Sequence, residues 1–245
     1  MIYVATCAGK HHEHSEDVVL IGREVLSETT DILSDPETGF VCVADGVGGN
    51  TGGAQASRFV LEALSEVDVL KPDDLRDFLT EVNEKLIDFA SNTGDASGMA
   101  TTLTGIYITG GVSYLVHVGN TRTYVKQGSY LKQVSSDHTT YNWLKSTGQQ
   151  EAADSCNKNE ITNCFGGGDR NLLSKLYISE IQPFSMMLLT SDGVHEYVDI
   201  DTLEDILFGQ NITTEDKCQE ILNRAIANGS EDDLSVVMIC PSAAE

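Results

Sequence analysis

Apolar and polar positions along this chain follow two rhythms, and the change from one to the other divides it into elements. Short apolar runs at about 2–8, 17–22 and 40–45 read as strands. From Ala54 to Val67 the apolar positions Ala56, Phe59, Val60, Ala63, Leu64 and Val67 recur at helical spacing. The stretch from Asp73 to Ala90 repeats it with Leu75, Phe78, Leu79, Val82, Leu86, Ile87 and Phe89, after a Pro72-Asp73-Asp74 start. Thr102 to Thr109, Val112 to Val118 and Thr121 to Lys126 are β-branched and aromatic, and Gly110-Gly111 and Gly119-Asn120 separate them. That pattern predicts a β-meander with tight turns.

Residues 139–172 are polar and irregular, which predicts a flap made of a short helix and a loop, with Gly166-Gly167-Gly168 as its hinge. Strands at about 174–180 and 186–191, helices at about 199–208 and 214–228, and a last strand at 234–240 follow. Helices grouped between runs of strands favour one layered α+β domain over residues 1–245 rather than alternating βαβ units.

Three of the strands carry a carboxylate at one edge. Phe40-Val41-Cys42-Val43-Ala44 stops at Asp45-Gly46, Met186-Met187-Leu188-Leu189-Thr190-Ser191 stops at Asp192-Gly193, and Glu231-Asp232-Asp233 leads into Leu234-Ser235-Val236-Val237. One Asp-Gly after a strand is an ordinary turn. Three at strand edges, far apart in sequence, point to a shared site whose charges need a counter-cation. All-oxygen ligation selects a hard ion such as Mg²⁺ or Mn²⁺. A pair of such ions activates water and clamps a transferred phosphoryl group.

Charge narrows the partners. Net charge is −23, from 38 acidic against 15 basic residues, a field that disfavours nucleic acid and anionic membranes. No apolar run approaches the roughly 18–20 residues that span a bilayer, and Met1 to Cys7 lacks the basic start and apolar core of a signal peptide. Six cysteines without CxxC spacing read as free thiols in a reducing cytoplasm. The expected state is a cytoplasmic monomer.

The ordered blocks Ser15-Glu16-Asp17, Asp45-Gly46-Val47-Gly48-Gly49, Gly98-Met99-Ala100-Thr101-Thr102, Gly119-Asn120-Thr121-Arg122, Asp137-His138, Thr190-Ser191-Asp192-Gly193 and Ser230-Glu231-Asp232-Asp233 span nearly the whole chain. In that order they resemble the metal-dependent protein phosphatases (protein phosphatase 2C, the PPM family), in their bacterial serine/threonine form. The resemblance implies an α+β fold: a four-layer αββα sandwich of two antiparallel sheets flanked by antiparallel helix pairs. It implies hydrolysis of phosphoserine and phosphothreonine by a metal-activated water, without a phosphoenzyme, using two Mn²⁺ or Mg²⁺ ions. Asp45 would bridge the ions, Gly46 would offer its backbone carbonyl to one, Asp192 and Asp232 would complete the other, and Glu16 and Asp17 would hold bound waters. The partners implied are phosphoserine and phosphothreonine proteins, with a cognate serine/threonine kinase or its substrates among them.

Three positions depart from the family pattern. His12 stands where an Arg grips the substrate phosphate. Imidazole lacks the permanent charge and two-pronged fork of guanidinium, so weaker phosphate affinity, or activity falling as pH rises past roughly 6.5, is expected, with Lys10 or His11 assisting. Asn120 stands where bacterial members carry an Asp for a third, looser metal, which makes that site weak. Asp233 stands where Asn usually follows the last metal Asp. His12 or His14 is also a candidate proton donor to the leaving group. A pseudophosphatase that binds phosphoproteins with weak turnover is the alternative reading, and a metal-stabilised interaction domain a further one. His11, His12, Glu13 and His14 are not expected to form a dedicated zinc site, because neighbouring strand residues face opposite sides. Arg122 is expected to tie turns together, His195 to sit at a helix start, and Ser191 to be no nucleophile.

Overall fold

The computed structural model describes residues 1–47, 51–94 and 98–241, so Gly48 and Gly49 of the Asp-Gly block lie outside the described residues. Two six-stranded antiparallel sheets form the centre. The first runs β11 (Tyr130–Gln133), β10 (Arg122–Gln127), β14 (Met187–Thr190), β15 (Leu234–Ile239), β1 (Ile2–Cys7), β4 (Thr30–Leu33). The second runs β13 (Tyr177–Ile181), β9 (Val112–Val118), β8 (Leu103–Thr109), β5 (Gly39–Ala44), β2 (Val18–Gly22), β3 (Glu24–Leu26). A small sheet joins β12 (Phe165–Gly166), β7 (Ala100–Thr101) and β6 (Gly46–Val47).

Alternation along single strands sets the layers. In β5, Val41 and Val43 join Val4, Ile106, Leu189 and Val237 in the core between the sheets. Phe40 and Cys42, on the opposite face, pack with Val60 and Leu64 of α1 (Thr51–Ser65) and Leu79 and Leu86 of α2 (Leu75–Thr93). On the other outer face, Leu188, Val236 and Met238 meet a second set of helices. These are the one-turn α5 (Asp192–His195), α6 (Ile200–Phe208) and α7 (Lys217–Ala227), contributing Val194, Leu203 and Ile221. The expected αββα sandwich is therefore present. A strand covered on both faces has no polar side, which is why β5, β2 and β15 read as solid apolar runs.

The flap carries α3 (Thr140–Ser146), which Thr139 caps by accepting the Asn142 N–H, and α4 (Gln150–Ser155). Its glycine run is packed into the fold. Gly166 pairs with Ala100 across β12 and β7, its N–H donates to Asn83 Oδ1 at 2.7 Å, and a Cβ there would sit 2.1 Å from the Met99 carbonyl oxygen. With φ of +77°, +66° and +75°, the three glycines make a turn that anchors the flap against α2. No helix among the described residues is long and apolar enough to cross a membrane.

Candidate active site

The sheets deliver their carboxylates by register. Val18 pairs with Ala44 between β2 and β5, so Asp17, just before one strand, and Asp45, just after the other, occupy the next facing positions. Asp45 is clamped through its backbone. Its N–H donates to Thr102 Oγ1, and its carbonyl accepts from the Thr102 N–H and the Thr101 hydroxyl, each at 2.9 Å. In the first sheet, Ser191 N–H donates to the Ser235 carbonyl at 3.1 Å and Ser235 N–H to Ser191 Oγ at 2.9 Å. This clasp fixes where Asp192 leaves β14. Gly193 sits so close to the 232–233 backbone that a Cβ would lie 2.1 Å from the Asp233 carbonyl oxygen. Only glycine lets the segment carrying Asp232 close over α5.

These carboxylates feel one another. Burial, followed by the charges of Asp192, Asp17 and Asp232, pushes the Asp45 pKa well above the usual carboxylate range. Asp17 is raised likewise, by burial first and then by Asp233 and Asp192, while the Ser191 and Ser235 hydroxyls pull it back. Asp232 and Glu16 are raised too, burial again leading. Among the described residues, neither carboxylate oxygen of Asp17, which is only 1% exposed, has a well-formed hydrogen bond. A buried carboxylate without a well-formed hydrogen bond, inside a group of mutually repelling carboxylates, is unstable unless protonated or met by a cation. The donors here are all oxygen apart from His12, so the site fits hard divalent ions.

Asn120 Nδ2 donates to Asp192 Oδ2 at 2.8 Å, and its own Oδ1 is buried and unpaired among the described residues. The amide therefore holds a metal-candidate carboxylate in place. Arg122 makes the structural fork expected of it, with Nε 3.1 and 3.0 Å from the two oxygens of Asp137 and Nη2 2.7 Å from Oδ2. His195 is buried in α5 with Nδ1 2.9 Å from Thr190 Oγ1, and burial lowers its pKa well below the usual value. A polar cavity of about 650 Å³ opens beside Asn120 and runs to Tyr141 and Lys158 of the flap.

The loop from Gly9 to Glu16 folds across this end of the sandwich, held by Asp233. Gly9 N–H donates to Asp233 Oδ1 at 2.7 Å, Glu16 N–H donates to Oδ2 at 2.7 Å, and His12 Nδ1 lies 2.9 Å from Oδ2. Ligand atoms of His12, Asp232 and Asp233 all fall within 4.8 Å of one another. The Asp233 hydrogen bond raises the His12 pKa, and partial burial opposes it. The rest of the His-rich stretch turns away. Lys10 Nζ is 2.7 Å and His11 Nε2 3.1 Å from Glu231, and His14 lies by Glu28. His12 alone of that stretch joins the carboxylates, and Lys10 is committed to an exposed ion pair. Sequence reasoning noted Asp233 as a departure but missed its work as a three-donor acceptor. Nor does the sequence mark Thr101 and Thr102 as the residues that grip Asp45.

Residues 30–235 match the family model described as Protein phosphatase 2C, and the chain belongs to that family. It is 28% identical over 212 residues to the serine/threonine phosphatase stp of Listeria welshimeri, covering 82% of this chain and 83% of that protein. Its fold is similar to the solved structure of serine/threonine phosphatase Stp1 from Staphylococcus aureus, with TM-score 0.79, 24% identity and coverage of 99% and 95%. It is also similar to the catalytic domain of the serine/threonine protein phosphatase PstP in complex with two manganese ions, with TM-score 0.74, 23% identity and coverage of 97% and 98%.

Proposed function

We infer that this protein is a metal-dependent serine/threonine phosphoprotein phosphatase that hydrolyses phosphomonoesters with Mn²⁺ or Mg²⁺. The observation that carries the reading is the buried Asp17, which lacks a well-formed hydrogen bond among the described residues, within a group of carboxylates drawn from both sheets, in a chain of the protein phosphatase 2C family. Asp45, the Gly46 carbonyl, Asp192 and Asp232 are the residues proposed to hold two ions, with Glu16 and Asp17 behind them. When bound, such a pair supplies an activated water nucleophile and positive charge for the phosphoryl oxygens.

The chain's own groups do the rest. Thr101 and Thr102 keep Asp45 at the strand end, Asn120 aims Asp192, and Asp233 holds the loop that brings Glu16 and Asp17 to the site. His12, half-exposed beside Asp232, is the proposed donor to the substrate phosphate, with Lys10 a peripheral cation released only if its Glu231 pair opens. The partner class is phosphoserine and phosphothreonine proteins, among them a cognate kinase or its substrates. A monomer in the cytoplasm is the proposed state, and the six free thiols fit a reducing compartment. The test is turnover of p-nitrophenyl phosphate and a phosphothreonine peptide with Mn²⁺, with EDTA, and with Asp192→Asn. Turnover that needs Mn²⁺ and collapses by about a hundredfold or more in the variant is expected. Turnover indifferent to both would overturn the assignment.

A further inference from the structure

Two of the three departures noted in the sequence touch each other. His12 stands where the family pattern it resembles has an arginine, Asp233 where that pattern has an asparagine, and their side chains are 2.9 Å apart. The positions are 221 residues apart in sequence, so only folding makes them neighbours.

The chemistry of the contact is directional. An ionised carboxylate only accepts, so the His12 nitrogen facing Asp233 carries a proton, and the ring is fixed with Nδ1 inward. Among the described residues His12 Nε2 makes no hydrogen bond, and the side chain is 37% exposed at the mouth of the site. The other nearby cations are committed: Lys10 and His11 to Glu231, and Arg122 to Asp137. Asp233 is itself 4% exposed, and its two oxygens take three donors: the Gly9 and Glu16 N–H groups and His12. An asparagine has one acceptor oxygen and a donor amide, so it could not serve both ends of the loop and the imidazole together. An arginine at position 12 would bring its own charge and fork and need no carboxylate to set a tautomer.

We propose that Asp233 is a positioning residue for phosphate recognition: it fixes the His12 ring so that Nε2 meets the phosphate of the substrate, and the His12–Asp233 pair does together what one arginine does in the wider family pattern. The proposal rests on the reading of the site as a phosphomonoester hydrolase.

The experiment is a double-mutant cycle on p-nitrophenyl phosphate at saturating Mn²⁺, with KM and kcat separated. Asp233→Asn is expected to raise KM about tenfold, with a smaller change in kcat, when residue 12 is His. In the His12→Arg background the same change is expected to raise KM less than about threefold, because the guanidinium does not depend on Asp233. A purely structural role for Asp233 acts through the loop backbone, so equal effects in the two backgrounds would overturn the pairing. Wild-type turnover abolished by EDTA and by Asp192→Asn shows that such a failure belongs to the pairing alone. No wild-type turnover at all would end both. Should Asp233→Asn not fold, ¹⁵N spectra of the Mg²⁺-loaded wild type decide. A protonated Nδ1, with Nε2 the nitrogen that shifts on adding inorganic phosphate, is expected. A bare Nδ1, or an Nε2 that phosphate does not move, would refute the proposal.

Discussion

At the scale of single residues, the site depends on which side chain faces which carboxylate. Asn120 illustrates this. Its amide nitrogen donates to Asp192 Oδ2 at 2.8 Å, so a carboxylate in its place would set two negative charges in contact. Asn120→Asp is therefore expected to lower the melting temperature of the metal-free protein. It is also expected to add a further Mn²⁺ per chain, because the extra oxygen donor converts repulsion into ligation. Calorimetric titration counts the ions, and an unchanged count together with an unchanged metal-free melting point would refute the argument. Asp45, Asp192 and Asp232 were legible in the sequence because each borders an apolar run. Asp233 was visible only as an unusual neighbour of Asp232. Its three donors come from the loop around Gly9–Glu16, and no local pattern encodes a contact that crosses the whole chain.

At the scale of elements, the ends of the sandwich close only because small residues let backbones meet. A Cβ on Gly46 would lie 2.4 Å from the Gly53 carbonyl carbon, so β6 and the first turn of α1 are in backbone contact. Gly46→Ala must push that turn away and strain the strand that carries Asp45. A loss of roughly 1–3 kcal/mol in urea unfolding is expected, with weaker Mn²⁺ binding. A variant of wild-type stability and affinity would show that the turn can move freely. Long elements were legible for the complementary reason: β5 and β2 are covered on both faces and α2 keeps an apolar stripe interrupted by Asn83. The short strands β3, β4, β6, β7, β11 and β12 were not. They have two to four residues, and β4 is mostly solvent-exposed, so neither alternation nor an apolar run marks them. The flap was legible only as a polar interval, because Trp143 on α3 points outward and the segment has little core of its own.

At the scale of the whole molecule, two sets of ionisable groups oppose each other across the pH range. Asp17, Asp45, Asp232 and Glu16 have pKa values raised on folding. Without metal the folded state holds protons that the unfolded chain has released, so their contribution is present at low pH and lost as pH rises above the usual carboxylate range. His117 and His195 have the reverse sign. Burial, reinforced by His138, lowers the His117 pKa to about 4, and burial takes His195 well below its usual value. For His117, stability is lost as pH falls from roughly 6.5 toward about 4, by up to about 1.4 kcal/mol per pH unit. The metal-free protein should therefore melt highest at mildly acid pH and lose stability on both sides. Divalent ions bind the ionised carboxylates, so added Mn²⁺ should raise the melting temperature most at neutral pH and least in acid. Asp45→Asn removes one repelling charge and one ligand together. It should stabilise the metal-free protein at pH 7.5, flatten the alkaline limb of its stability curve, and cancel most of the Mn²⁺-induced rise. His117→Gln should leave that rise intact and flatten only the acid limb. Melting curves of the three proteins with EDTA and with Mn²⁺, from pH 4.5 to about 8, separate the two sets. An Asp45→Asn variant that is less stable than wild type without metal would mean that these carboxylates are not crowded, and the case for a built cation site would fall with it.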